Sequence, residues 1–168
     1  SECSLIVRKT LIYEKLSSPD TLWLVKAMGI INENSDTDDT IYWNDIRYFA
    51  GAFGNNLFYF DTLSKLQNHN WLDIINGVND GRGIVIYRGN GVGNWYPPFN
   101  VDPYLTENYF KLPLILSFTC QTLSLSPFLN ETAAVGGKWL WAGNYYYPKG
   151  AVAFLGSTYS FLFLARER

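Results

Sequence analysis

Two kinds of apolar pattern alternate along the chain. Apolar residues recurring every three or four positions predict helices; short continuous apolar runs predict strands buried on both faces. Positions 5, 6, 7, 11, 12 and 16 outline a first helix, which Ser17-Ser18-Pro19-Asp20 ends. "LWLVKAMGII" (22–31) reads as a buried strand, and "NENSDTDDT" (32–40) as a polar, acidic loop. "IYWNDIRYFAGAF" (41–53) reads as a helix stopped by Gly54, and "LFYFDT" (57–62) as a short strand. "NWLDIINGV" (70–78) has helical spacing and is closed by Asn79-Asp80-Gly81. "GIVIYRG" (83–89) and "KLPLILSFTC" (111–120) read as strands. "FLNETAAVGGKWLWAG" (128–143) reads as a helix interrupted at Gly136-Gly137, and "GAVAFLGST" (150–158) as a last strand.

This alternation predicts an α/β fold, a mainly parallel sheet with helices on both faces. In such a sheet the strand carboxyl ends lie on one edge, where open α/β folds bind ligands. Gly89-Asn90-Gly91, Cys120 and Gly156-Ser157 all follow or end apolar runs. They are therefore expected side by side.

Composition narrows the reading. With 168 residues, 48% apolar and 17% charged, the chain can build one domain with a real core. A net charge of −2 and no Lys/Arg run give no sign of a nucleic-acid partner. No apolar stretch approaches the roughly 18 residues of a membrane span. The aromatic content of 17% fits a secreted or cell-surface protein with an aromatic-lined pocket. The end, "FLFLARER", breaks off in apolar sequence, so 1–168 is expected to be a subdomain of a longer chain. A second subdomain or chain is then expected to cover its ends.

Cys3 and Cys120 are the only cysteines, which rules out a disulfide framework. His69 is the only histidine, so no zinc-ligand cluster exists, and neither a metal nor a cofactor is expected. A thiol at the tip of a buried strand is either a small core residue or a nucleophile. The neighbouring loop bears on that choice. In one cysteine-peptidase layout a strand ends in His-Gly and the next ends in Cys. The histidine is the general base, and backbone N–H groups of the glycine and the cysteine form the oxyanion hole. Gly91 and Cys120 match that layout, and Asn90 stands where the histidine belongs. His69 precedes the helix ahead of the Asn90 strand, which puts it at the opposite edge of the sheet as a surface residue.

The order of pieces resembles a known family. "IINGVNDGRGIVIYRGNGVGNW" is similar to a helix, a strand, then Tyr-x-Gly-His-Gly and a Trp, with Ile75-Asn76-Gly77, Tyr87, Gly89, Gly91 and Trp95 matching. Leu112-Pro113 and Thr119-Cys120 resemble the strand that carries the nucleophile. Glu131 resembles the opening of the next helix, "PKGAVAFLGST" the strand after it, and "VRKTLIYEK" an upstream K-x-x-x-Y-E helix. Over nearly its whole length the chain resembles the catalytic part of gingipain-like cysteine peptidases, the C25 family of the caspase-like clan.

That resemblance implies a caspase-like fold and a cysteine endopeptidase that cuts peptide or protein substrates after a basic residue. It implies Cys120 as nucleophile, Asn90 at the base position, and Gly91 in the oxyanion hole. Asp39, in Asp39-Thr40, would line the pocket for the basic side chain. Glu33 would support the base, Trp95 would wall the site, and Tyr159 or Phe163 would stand where a Trp closes the pocket. Read from residues alone, Asp36, Asp38 and Asp39 are equally a solvated loop. Asparagine cannot take a proton at neutral pH. Losing a general base costs about 10²- to 10⁴-fold. Activity is therefore expected to be very low or absent, and a pseudo-peptidase serving as a binding or structural module is the alternative.

Overall fold

The computed structural model describes residues 2–15, 20–54, 59–124 and 134–159. Its elements, in chain order, are α1 (Glu2–Lys15), β1 (Lys26–Asn32), α2 (Asp38–Gly54), β2 (Tyr59–Ser64), α3 (Trp71–Asp80), β3 (Ile84–Val92), β4 (Leu114–Cys120), α4 (Val135–Trp141) and β5 (Ala153–Leu155). The five strands form one sheet of order β2-β1-β3-β4-β5, and every neighbouring pair is parallel. The expected parallel α/β architecture is therefore present. Chain direction across the sheet reverses between β1 and β3, because β2 lies on one side of β1 and β3 on the other. A crevice opens at the carboxyl ends of strands at such a switch point.

Strand alternation builds two cores. Met28, Ile30, Val85, Tyr87 and Ile115 pack on one face with Ile74, Ile75 and Val78 of α3 and Val135 and Trp139 of α4. Ile31 and Ile86, which point the other way, pack with Tyr42 and Ile46 of α2. Helices thus cover both faces. α1 presents Leu5, Lys9 and Ile12 inward, one face of a helix. Lys9 sits in the middle of that stripe and donates to the carbonyls of Leu140 (2.7 Å) and Trp139 (3.3 Å), at the carboxyl end of α4. Burial lowers its pKa to about 7.

Several boundaries differ from the sequence reading. Leu22–Val25 form a 3-10 turn, so β1 begins only at Lys26. α2 begins at Asp38, three residues before the apolar pattern starts. The Asp36 carboxylate accepts the Asp38 N–H at 2.9 Å, and acidic side chains in a first turn suit the helix dipole. β2 is Tyr59–Ser64, shifted along the chain from the expected 57–62, whose first two residues lie outside the described ones. Gly136-Gly137 lie inside the first turn of α4 and do not interrupt it; Gly136 N–H donates to the Thr122 carbonyl at 2.9 Å. The last strand is only Ala153–Leu155.

Candidate active site

β3 does not stop at Gly89, as its apolar run suggested, but continues to Val92 through a distortion. Arg88 pairs with Phe118 and Val92 with Cys120, so Gly89, Asn90 and Gly91 face the single residue Thr119. Such a bulge removes residues from the ladder and re-aims a side chain. Its two glycines are sterically required. Gly89 has φ 153°, and a Cβ there would lie 2.6 Å from the Asn32 Cβ. A Cβ on Gly91 would lie 2.4 Å from the Asn94 carbonyl oxygen. Thr119 Oγ1 donates to the Gly91 carbonyl at 3.1 Å and pins the bulge to β4. Asn90, two residues before the end of β3, and Cys120, the last residue of β4, both half-buried, thus lie on adjacent strands at the carboxyl edge.

A cage of hydrogen bonds holds Asn90. The Tyr42 hydroxyl donates to its Oδ1 at 3.2 Å. The Tyr87 hydroxyl donates to its backbone carbonyl at 2.6 Å, and Tyr96 N–H donates to the same oxygen at 3.3 Å. Tyr87 is itself held by Asn32, whose Nδ2 donates to the Tyr87 hydroxyl oxygen (3.0 Å) and to the Tyr96 carbonyl (2.8 Å). Burial pushes the Tyr87 pKa well above its ordinary value, so it stays a donor. Arg88, ion-paired to Asp45 at 2.6 Å, lies over the Tyr42 ring at 4.8 Å.

The other expected residues fall in different places. Glu33 is 1% exposed. Its carboxylate accepts from Trp43 Nε1 (3.1 Å), Ser64 Oγ (2.5 Å) and Lys65 N–H (2.8 Å), and none of these is Asn90. It ties the end of β1 to the end of β2. Asp39, in the first turn of α2, accepts Asn34 N–H with Oδ1 and Ser35 N–H with Oδ2, both at 2.8 Å. The acidic loop is thus wound around that carboxylate. Trp95, expected as a wall, is 1% exposed and core-forming: it stacks on Tyr87 at 4.5 Å and donates to Ser117 Oγ at 2.9 Å. The stack has both rings available because the bulge turns the chain back, bridging Gly91 to Trp95. Trp95 supports the loop from beneath. Tyr159 is 78% exposed, and its carbonyl accepts Gln121 N–H at 3.3 Å, beside Cys120. Phe163 and Glu131 lie outside the described residues.

His69 needs a correction. Its backbone N–H donates to the carbonyl of Ser64, the last residue of β2, at 3.2 Å. It therefore sits at the same carboxyl edge as Asn90, because a βαβ crossover starts where its strand ends. There it lines an open groove of about 530 Å³ with Lys65, Asn68, Asn70, Pro97 and Pro98. Asn32 and Tyr42 were not singled out from sequence. The one available signal for Asn32 was its place directly after an apolar run.

Comparison with known proteins bears on the family and the fold. The model of peptidase family C25 matches residues 1–165. The fold is similar to the crystal structure of the Arg-specific cysteine proteinase gingipain R, with TM-score 0.69, 19% identity, and 90% of this chain and 37% of that chain covered. It is similar to the complex of Porphyromonas gingivalis RgpB pro- and mature domains, with TM-score 0.73, 20% identity, and coverage of 92% and 37%. It is also similar to a structure described as a protease, with TM-score 0.77, 21% identity, and coverage of 95% and 34%. No curated protein matches the chain. The chain spans about a third of the length of these solved structures. With residues 1–165 matched and a caspase-like parallel sheet beneath them, the chain belongs to peptidase family C25.

Proposed function

We propose that the chain is a gingipain-type cysteine endopeptidase domain in which Asn90 occupies the place of the general base, so that cutting is very slow or lost. Cys120 is the nucleophile, the Gly91 N–H faces the developing oxyanion, and Asp39 receives a basic side chain of a peptide or protein substrate. The observation that carries this reading is the three-to-one bulge, which brings Asn90 and Cys120 to adjacent strand ends over two required glycines. The Asp39 carboxylate is fixed by two backbone N–H groups, one on each oxygen, and keeps further lone pairs for a guanidinium. A second subdomain or chain completes the domain, and the protein works outside the cell or at its surface.

The test is to supply the missing function. Asn90→His brings an imidazole of pKa near 6.5, able to take the thiol proton. Cleavage after Arg or Lys is expected to rise by about two orders of magnitude, and to vanish when Cys120→Ala is added. A folded Asn90→His protein that neither cleaves a basic peptide nor reacts faster at Cys120 would sink the peptidase reading.

The second reading is a pseudo-peptidase that binds basic peptides without cutting them. One observation favours it: Asn90 Oδ1 is engaged by the Tyr42 hydroxyl, and an amide oxygen cannot take the Cys120 proton at neutral pH. Slow acylation of Cys120 by a reactive arginyl probe separates a damaged enzyme from an inert binder.

A further inference from the structure

Both oxygens of Asn90 accept hydrogen bonds from the protein. Oδ1 receives the Tyr42 hydroxyl, and the backbone oxygen receives the Tyr87 hydroxyl and Tyr96 N–H. The Nδ2 amino group has no hydrogen-bond partner among the described residues, nor is it one of their buried unsatisfied atoms. It is therefore free to donate to a ligand at this edge of the sheet. Tyr42, on α2 with the Arg88 guanidinium over its ring, donates to Oδ1 and so turns Nδ2 away from itself. Burial, then the nearby Asp38, raise the Tyr42 pKa, so its hydroxyl stays protonated at neutral and moderately alkaline pH. A free amide N–H₂ selects an acceptor oxygen, and a charged one most strongly.

We propose that the site receives the free C-terminal carboxylate of a peptide ending in a basic residue, with Asn90 Nδ2 and the Gly91 N–H as donors. The inference rests on the reading of Asn90, Cys120 and Asp39 as one peptide site. Such a peptide is the acyl-side product of cleavage after Arg or Lys. Its two charges match two groups near the carboxyl edge of the sheet: the Asp39 loop takes the side chain and the β3 bulge takes the carboxylate. A C-terminal amide loses the charge and keeps one acceptor oxygen for the two donors, setting its N–H₂ against the other.

The experiment is calorimetric titration of the protein near neutral pH with two peptides that differ only in ending as arginine free acid or arginine amide. The acid is expected to bind about tenfold tighter or more, the usual weight of a hydrogen bond to a charged group. Asn90→Asp keeps the shape and removes the donor, so the ratio should fall to one or below. Tyr42→Phe leaves Asn90 in place but lets its amide turn, so the ratio should shrink; this variant carries the test if Asn90→Asp does not fold. Equal affinity for acid and amide in the unaltered protein overturns the inference while leaving a basic-side-chain site standing. No binding of either peptide overturns the inference and the reading beneath it. An acid preference that survives in both variants overturns the assignment to Asn90.

Discussion

Glu33 and Asp39 are two carboxylates a few residues apart with different surroundings. Glu33 is buried with three donors on two oxygens, one of them the Lys65 backbone N–H. Replacing it by Gln turns an amino group against a donor that has no other partner. Glu33→Gln is expected to cost about 1–3 kcal/mol of stability, read as a lower urea midpoint, with little change in the preference for arginyl ligands. Asp39 is only half-buried, and its donors belong to its own loop. Asp39→Asn is expected to weaken arginyl ligands far more than neutral ones, because a bidentate partner of guanidinium is lost. Equal losses for both ligands in a titration would make Asp39 an ordinary loop residue. The sequence put these carboxylates in reach of one site but could not tell them apart. That distinction depends on Ser64 and Lys65, which come from a strand roughly thirty residues later and meet Glu33 only through sheet pairing.

At the level of elements, α1 is bolted to α4 by one amine. Lys9 Nζ reaches the last carbonyls of α4, and burial holds its pKa near 7, against 10.5 when unfolded. Between those values the unfolded chain binds a proton that the folded chain has shed. Stability must therefore rise with pH across that window and be lost as pH falls toward 7. The urea midpoint is expected to increase between pH 7 and about 9.5, by roughly 3 kcal/mol from this group, and the increase should flatten in Lys9→Met. A parallel rise in the variant would assign it to other groups. The same pairing of elements explains what the apolar pattern conveyed. Strand cores such as Met28 to Ile31 and Val85 to Tyr87 were legible because both faces are buried. The start of α2 was not legible, because Asp38 joins the helix through its N–H bond to Asp36, where no apolar period runs. The bulge was not legible either: two glycines beside an asparagine read as a strand end, and only pairing with Thr119 turns them into a continuation.

Across the whole molecule, β1 and β3 serve both cores. Ile30 and Tyr87 face α3 and α4, while their neighbours Ile31 and Ile86 face α2. Loosening one face therefore loosens the strands that support the other. Unfolding is expected as a single transition, with far-ultraviolet circular dichroism and tryptophan fluorescence coinciding in urea. Trp95 and Trp139 report the α3–α4 side and Trp43 the α2 side. Separate midpoints would mean that the two layers fold independently. The shared strands also explain why the candidate site falls where it does. It sits at the carboxyl ends of β3 and β4, and β4 too sends side chains to both faces, Ile115 to one and Leu116 and Phe118 to the other.

The cage around position 90 grips the main chain. Tyr87 and Tyr96 both hold the backbone oxygen, and Gly89 and Gly91 supply the turn, so none of these contacts depends on which side chain stands at 90. The loop is thus a socket, indifferent to its occupant. In the genetic code the triplets for asparagine and histidine differ only in their first base. A single transversion can therefore exchange a donor amide for an imidazole in this socket without asking the surrounding backbone to move. A random library under selection for cleavage after basic residues reaches that exchange with a single base change. On the reading proposed above, receptor and catalyst stand one letter apart.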